Sequence, residues 1–168
     1  MTKRAQAESR DLNRNGRLDV YEDPTAPFDQ RVDDLLSQMT LEEKTGQMFY
    51  PVAFVDPAFP IAPHDDPRAL IQDNHLTHIT AFGGKQPQQI AEWTNHLQQL
   101  AASTRLGIPV TVATDARHAV TEPGNLMNTT GFSKWPESTG LAATRDTGLV
   151  ARWVAAPDHE HGHLRQPG

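Results

Sequence analysis

The sequence predicts an α/β fold in which helices alternate with buried parallel strands. Residues 79–114 have the order strand, helix, strand, and the second strand, Ile108–Thr114, is a nearly continuous apolar run. Such runs are typical of strands buried on both faces of a parallel sheet. Two parallel strands joined by a helix form a βαβ unit, which follows the right-handed crossover rule. Helices that alternate with buried strands indicate the α/β class.

The first part of the chain predicts a polar extension followed by two short helices. Residues 1–10 are polar and residues 11–27 form a loop that ends in prolines. Thr40 begins the second helix, and Glu43, three residues later, completes a capping box. The first helix carries apolar residues at the spacing of a one-sided stripe, namely Val32, Leu35, Leu36 and Met39.

The middle of the chain predicts two strands and a helix between them. The apolar run Met48–Phe54 is interrupted by Pro51, so the strand there is short. Pro67 occupies the first position of a helix that runs to about His75. Leu76–Phe82 is a strand that ends at the following glycines.

Three more helices follow along the chain. Pro87–Thr104 is long, and Leu106 and Gly107 close it before the strand Ile108–Thr114. A loop covers residues 115–136, and Glu137–Thr144 and Asp146–Ala155 are helical. The apolar stripe of the long helix consists of Ile90, Trp93, Leu97 and Leu100.

Length, charge and composition exclude several classes of protein. A chain of 168 residues suffices for one domain, and a net charge of −6 argues against a nucleic-acid surface. There is no cysteine and no apolar run of the roughly 18 residues that a membrane span needs. The first residues lack the apolar segment of a secretory signal, so the default expectation is a cytoplasmic chain. A hydrophobic content of 37% predicts a loop-rich or incomplete core.

Residues 11–22 match a calcium-binding loop pattern, D-x-[DN]-x-[DN]-G-x₅-E, at every specified position. The carboxylate, amide and carbonyl oxygens that would bind Ca²⁺ belong to Asp11, Asn13, Asn15, Arg17, Asp19 and Glu22. Pro24 prevents a normal exiting helix. The alternative is an Asx-rich turn that leads into the first helix without metal.

Four stretches of the chain carry motifs that are longer than a chance match would be. The first is RVDDLLSQMTLEEKTGQM at residues 31–48, and the second is IAEWTNHLQQLAASTRLGIPVTVA at residues 90–113. The third is TDARH at residues 114–118. The fourth begins with FSKWPE at residue 132 and continues with GLAAT at residue 140. Together these motifs resemble glycoside hydrolase family 3, the β-glucosidase and β-xylosidase family, and the resemblance covers roughly residues 11–155.

The resemblance implies the first part, about three βα units, of a TIM-type (β/α)₈ barrel. A complete barrel needs roughly 250 residues and places its chemistry at the carboxyl ends of its strands. We therefore expect an extension at residues 1–27, a partial catalytic domain at 28–155 and an aberrant tail at 156–168. The family implies that Asp115 binds sugar hydroxyls, with Arg117 and His118 supporting its loop. The alternative for Asp115 is a strand-end residue that caps a loop.

The resemblance also indicates which catalytic groups this chain lacks. Retaining glycosidases use a nucleophilic carboxylate and an acid/base roughly 5–5.5 Å apart, and in the family both lie further along the chain. Glu122 and Glu137 match neither position. The tail contains His159, Glu160, His161 and His163, which we interpret as a truncated or frameshifted end rather than a metal site.

The sequence therefore predicts part of a glycoside hydrolase that acts on β-linked glucosides or related sugars, inactive alone and needing no cofactor. The alternatives are a non-catalytic module that binds calcium or sugar, and a structural fragment without a function. An open partial barrel exposes strand edges, so self-association is expected. Members of the family are often periplasmic or secreted.

Overall fold

A computed structural model describes residues 10–55, 66–83, 86–114, 136 and 138–153. Over these residues the chain is an α/β protein, as the sequence predicts. The helices are α1 (Phe28–Gln38), α2 (Leu41–Gly46), α3 (Pro87–Ala102) and α4 (Ser138–Ala143), with a 3₁₀ helix at Val20–Glu22, a π-helix at Ala69–Asp73 and a helical segment at 147–153. The strands are β1 (Val52–Phe54), β2 (His78–Phe82) and β3 (Thr111–Thr114).

The three strands form one parallel sheet in the order β1-β2-β3. The register aligns Val52 with Thr80 and Ala81 with Thr114. Strand β2, helix α3 and strand β3 make the βαβ unit that the sequence predicts. The small parallel sheet is compatible with part of a family 3 N-terminal domain, whereas the closed eight-stranded barrel stays a prediction.

Helix α3 and the π-helix cover one face of the sheet and form the core with it. Ile79 on β2 is fully buried. Leu97 on α3 is fully buried too, as the apolar stripe of α3 predicts. The other members of this core are Ala53, Leu70, Ile71, Leu76, Ala101 and Val110, with Trp93, Leu100 and Val112 packed against them. Each Å² of apolar surface that this layer removes from water stabilises the fold by roughly 25 cal/mol.

The predicted capping box at the start of α2 is present. The Thr40 hydroxyl accepts a hydrogen bond from the Glu43 N–H at 3.2 Å, and the Glu43 carboxylate accepts one from the Thr40 N–H at 2.9 Å. Arg105 donates to the same carboxylate and also to the Gln38 carbonyl at 2.8 Å. Glu43 therefore joins the α1–α2 turn to the segment that precedes β3.

The stripe predicted for the first helix is only partly buried. Met39 is 7% exposed, but Val32 is 36% and Leu36 44% exposed, and α1 itself contains no buried residue. The predicted helix and its apolar stripe are therefore present, but much of the stripe is exposed over the described residues. Among the described residues α1 contacts mainly the 3₁₀ helix, which is too short to cover the stripe.

Three predicted elements differ from the structure in their geometry. A 3₁₀ helix interrupts the predicted loop at residues 11–27, and the helix after Pro67 is π-helical over Ala69–Asp73. Strand β3 begins at Thr111 instead of Ile108, because the Gln98 side chain pairs with both the N–H and the carbonyl of Val110. Among the described residues, no helix is long and apolar enough to cross a bilayer.

Candidate functional site

The carboxyl edge of the sheet is the first candidate site, since parallel α/β sheets bind ligands there. Strand β3 ends at Thr114, and Thr114 lies level with Ala81 of β2. Asp115, the residue predicted to bind sugar hydroxyls, follows Thr114 in the chain. Asp115, Arg117 and His118 lie outside the described residues, as do Glu122, Glu137 and the histidine-rich tail. The structure thus fixes the strand end that leads into the candidate site.

Two aromatic rings lie at the same edge, and the sequence did not single them out. Phe54 is the last residue of β1, Phe82 is the last residue of β2, and the two are aligned in the register. Their ring centroids are 6.2 Å apart with an interplanar angle of 57°. Such a tilted pair is a favourable aromatic contact. The signal that could have found them is their shared position, since each is the last residue of a predicted strand.

The second candidate site is the N-terminal loop, which is curled around its own acidic side chains. The Asp11 carboxylate accepts hydrogen bonds from the N–H groups of Asn15 and Gly16 at 3.0 and 2.8 Å. The Glu22 carboxylate accepts from the N–H groups of Leu12, Asn13 and Asp19 at 2.6–3.2 Å. The first and last predicted ligands therefore hold the backbone of the loop.

The middle of this loop brings three predicted ligands to one point. The side-chain amides of Asn13 and Asn15 each donate to Asp19 Oδ2 at 2.7 Å. The bond from Asn13 lowers the pKa of Asp19, and burial acts in the opposite direction. Arg17 lies 3.8 Å from the other carboxylate oxygen of Asp19.

This arrangement fits calcium in ligand type but not in the orientation of its amides. Carboxylate and amide oxygens are the donors that Ca²⁺ prefers. Asn13 and Asn15, however, turn their nitrogen atoms toward Asp19. Within the described ranges, no three His, Cys, Asp or Glu side chains form a group that could hold a metal ion.

The same loop is fastened to the connection between α3 and β3. Arg14 Nη2 donates to the carbonyls of Ser103 and Thr104 at 3.0 and 3.2 Å. The buried Tyr21 hydroxyl donates to the carbonyl of Leu106 at 3.1 Å, and burial raises the pKa of this hydroxyl group. These bonds join residues 85–90 positions apart, so the extension is part of the folded unit.

A cavity of 760 Å³ lies at the opposite edge of the sheet, between α2 and the turn before β2. It is lined by Leu41, Phe49, Tyr50, Asn74 and His75, among others. His75 has a positive φ of 57°, and Gly46 allows the close approach, since a Cβ there would lie 2.3 Å from the His75 carbonyl oxygen. Pro51 and Leu76 precede β1 and β2, so this cavity is at the amino ends of the strands, away from the candidate sugar site.

Comparison with known proteins gives a consistent result. The sequence model of the family described as glycosyl hydrolase family 3 N terminal domain matches residues 40–161. The chain is 40% identical over 154 residues to a protein of Aspergillus oryzae named "Probable beta-glucosidase C", covering 88% of this chain and 24% of that protein. It is 40% identical over 153 residues to the beta-glucosidase C of Emericella nidulans, covering 90% and 25%.

A bacterial relative shows similar agreement. The chain is 43% identical over 151 residues to the periplasmic beta-glucosidase/beta-xylosidase of Dickeya chrysanthemi, covering 86% of this chain and 23% of that protein. The chain therefore spans about a quarter of the length of the curated relatives that it matches.

Proposed function

Because this chain belongs to glycosyl hydrolase family 3, we propose that it supplies the sugar-binding part of an enzyme that hydrolyses β-linked glucosides or related glycosides. The observation that carries this proposal is the sequence identity of 40–43% to proteins named as β-glucosidases, over 86–90% of the chain. The parallel sheet supports it, because β3 ends one residue before Asp115.

Asp115 is the residue to which we assign contact with the sugar. A carboxylate accepts two hydroxyl hydrogen bonds, and bonds to a charged acceptor are stronger than neutral ones. In the proposed retaining mechanism a second and a third carboxylate, roughly 5–5.5 Å apart, perform the chemistry. Neither has a counterpart in this sequence, so the chain alone binds sugar weakly and does not turn it over.

Sugar binding to the purified chain tests this assignment. We expect saturation-transfer NMR to detect glucose or xylose with the wild-type chain and not with Asp115→Asn. Asp146→Asn is the matched control, because Asp146 caps the helical segment 147–153 through the Leu149 N–H at 2.9 Å and Asn caps equally well. Equal sugar signals from wild type and Asp115→Asn would show that Asp115 does not contact the sugar.

The prediction of inactivity has a separate test. A chromogenic β-glucoside should show no turnover above buffer with the 168-residue chain. Measured turnover that disappears with Asp115→Asn would contradict the proposal that the catalytic carboxylates are absent, while it would support the role of Asp115.

For the N-terminal loop we propose weak calcium binding as a second function. The observation that favours it is the convergence of Asn13, Asn15 and Asp19. Rotation of the two amides would exchange their nitrogen atoms for oxygen atoms beside Asp19 and give a cation oxygen ligands. The rotation also breaks the hydrogen bonds that the two amide oxygens accept from backbone N–H groups, at 3.1 and 2.8 Å. The affinity of the loop for Ca²⁺ is therefore low.

Calorimetry with Ca²⁺ tests the second proposal. We expect saturable heat and a rise in melting temperature at millimolar Ca²⁺. Both should be lost with Asp19→Asn, since that variant removes the negative charge beside the amides of Asn13 and Asn15. Asp29→Asn on the surface of α1 is the control. No heat and no thermal shift would leave the loop as a metal-independent turn.

A further inference from the structure

The N-terminal loop contains the one asparagine of the sequence that a glycine follows, Asn15 before Gly16. Both residues are exposed to solvent. An asparagine side chain loses ammonia when the backbone nitrogen of the next residue attacks its amide carbon. Glycine leaves that nitrogen most accessible, since it has no Cβ, and no atom lies within 4 Å of the place that a Cβ would occupy at Gly16. Asn15 is therefore a position where the chain can modify itself.

Hydrogen bonds of the loop hold each group that takes part in such a reaction. The attacking group is the Gly16 N–H, which donates to Asp11 Oδ2 at 2.8 Å, a distance at which a carboxylate can act as general base. Asn15 Oδ1 accepts from the Arg17 N–H at 2.8 Å, and this donor stabilises the negative charge that develops on the oxygen during attack. The leaving group, Asn15 Nδ2, donates to Asp19 Oδ2 at 2.7 Å.

We propose that Asn15 undergoes spontaneous deamidation in the folded protein, with the Asp11 carboxylate as the base. The Gly16 nitrogen forms a bond to Asn15 Cγ and gives its proton to Asp11. The bond between Cγ and Nδ2 then breaks, and the side-chain nitrogen leaves as ammonia after it takes up that proton. The product of this step is a cyclic succinimide.

Water completes the reaction, and the chemistry needs no oxidant or reductant. Addition of water at Cγ restores the ordinary backbone and leaves aspartate at position 15. Addition at the main-chain carbonyl carbon leaves isoaspartate, in which the backbone runs through the former side chain. In both cases one water molecule is consumed, one ammonia is released and the loop gains a carboxylate.

Either product changes the contacts of the loop. The side-chain amide of Asn15 donates to Asp19, whereas an ionised carboxylate can only accept. Two carboxylates then face each other where a hydrogen bond of 2.7 Å now lies, and their like charges repel. A divalent cation would offset this repulsion, and the aspartate product still matches the calcium-loop pattern. This consequence rests on the proposed calcium binding, whereas the deamidation itself does not.

Asn13 is a matched control within the same loop. Its side-chain amide donates to the same oxygen of Asp19 at 2.7 Å, and its Oδ1 accepts from the Asn15 N–H at 3.1 Å. The residue after it is Arg14, whose Cβ crowds the backbone nitrogen that would have to attack. Asn13 should therefore keep its amide while Asn15 loses it.

Peptide mapping by mass spectrometry tests the inference. The purified 168-residue chain is kept at neutral pH with EDTA, and the acid formed at each asparagine is followed with time. We expect Asn15 to convert at least about tenfold faster than Asn13, to both aspartate and isoaspartate. Gly16→Ala should slow the conversion at least about fivefold, because its Cβ crowds the attacking nitrogen. Asp11→Asn should slow it at least about threefold, because the base is lost, and Asp29→Asn on α1 should leave it unchanged.

Three results would overturn the inference or its mechanism. Equal conversion of Asn15 and Asn13 in the folded chain would overturn it, as would conversion that occurs only after unfolding in urea. A rate that Asp11→Asn leaves unchanged or raises would overturn the role of Asp11. Melting curves show which variants are folded, and Gly16→Ala keeps the test decisive where Asp11→Asn does not fold.

The variant Asn15→Asp separates this inference from the proposed calcium binding. It should melt at a lower temperature than the wild type in EDTA, because the two carboxylates repel, and millimolar Ca²⁺ should reverse that loss. A variant as stable as the wild type in EDTA would contradict the repulsion between the side chains at positions 15 and 19. Conversion of Asn15 in the wild type, together with a variant that Ca²⁺ does not stabilise, supports the deamidation and contradicts calcium binding alone.

Discussion

Gly107 is the position where one added methyl group should reveal how tightly the N-terminal loop is joined to the sheet. Its φ is 60°, and a Cβ there would lie 2.4 Å from the carbonyl oxygen of Leu12. Backbone atoms cannot swing aside as a flexible side chain can, so Gly107→Ala must displace the loop. That displacement strains the nearby bond from the Tyr21 hydroxyl to the Leu106 carbonyl.

Gly16 provides the matched control for the magnitude. Its φ is 79°, but no atom lies within 4 Å of an added Cβ. Gly16→Ala should therefore cost only the left-handed conformation, about 1–2 kcal/mol. Gly107→Ala carries the same cost and in addition an overpacking cost of about 1–3 kcal/mol, so we expect about 2–5 kcal/mol in total.

Urea unfolding at 25 °C, followed by circular dichroism, measures the two free energies of unfolding. Gly107→Ala should lower the midpoint more than Gly16→Ala, with similar slopes in both variants. Two variants whose free energies of unfolding agree within about 0.5 kcal/mol would refute the close approach of the loop to Gly107.

Two further predictions follow from the core and from the ion pair at α2. Leu97→Ala removes a fully buried side chain and should cost about 2–5 kcal/mol, whereas Gln99→Ala on the exposed side of α3 should stay within about 0.5 kcal/mol. Burial of Glu43 opposes its ionisation, but hydrogen bonds from Arg105 and from the Thr40 N–H outweigh it and lower its pKa below 4.5. A carboxyl group whose pKa is lower in the folded protein than in the unfolded chain stabilises the fold when it is charged. The stability that Glu43 contributes is therefore complete above about pH 4.5, its ordinary pKa, and is lost as the pH falls through the lower folded pKa. Urea midpoints at pH 7 and pH 3 should differ more for the wild type than for Glu43→Gln, and parallel losses in both proteins would contradict the role of Glu43.

The sequence predicted the elements whose signals are local. The capping box of Thr40 and Glu43 depends on a spacing of three residues, and the stripe on α3 depends on the helical period, so both could be recognised without tertiary information. The start of β3 depends on the distant Gln98 side chain, which no local pattern reveals. The candidate residue Asp115 came from the family resemblance and stays a prediction.

By itself the sequence determined the family, the α/β class and the parallel unit β2-α3-β3, because apolar periodicity and long motifs specify them. Only the tertiary structure decided which face of the sheet is covered and what the N-terminal loop contacts. The bonds of Arg14 and Tyr21 span 85–90 residues, and their partners are backbone carbonyls, which every residue carries. Such contacts leave no mark in the sequence, since they depend on where the folded chain brings two segments together.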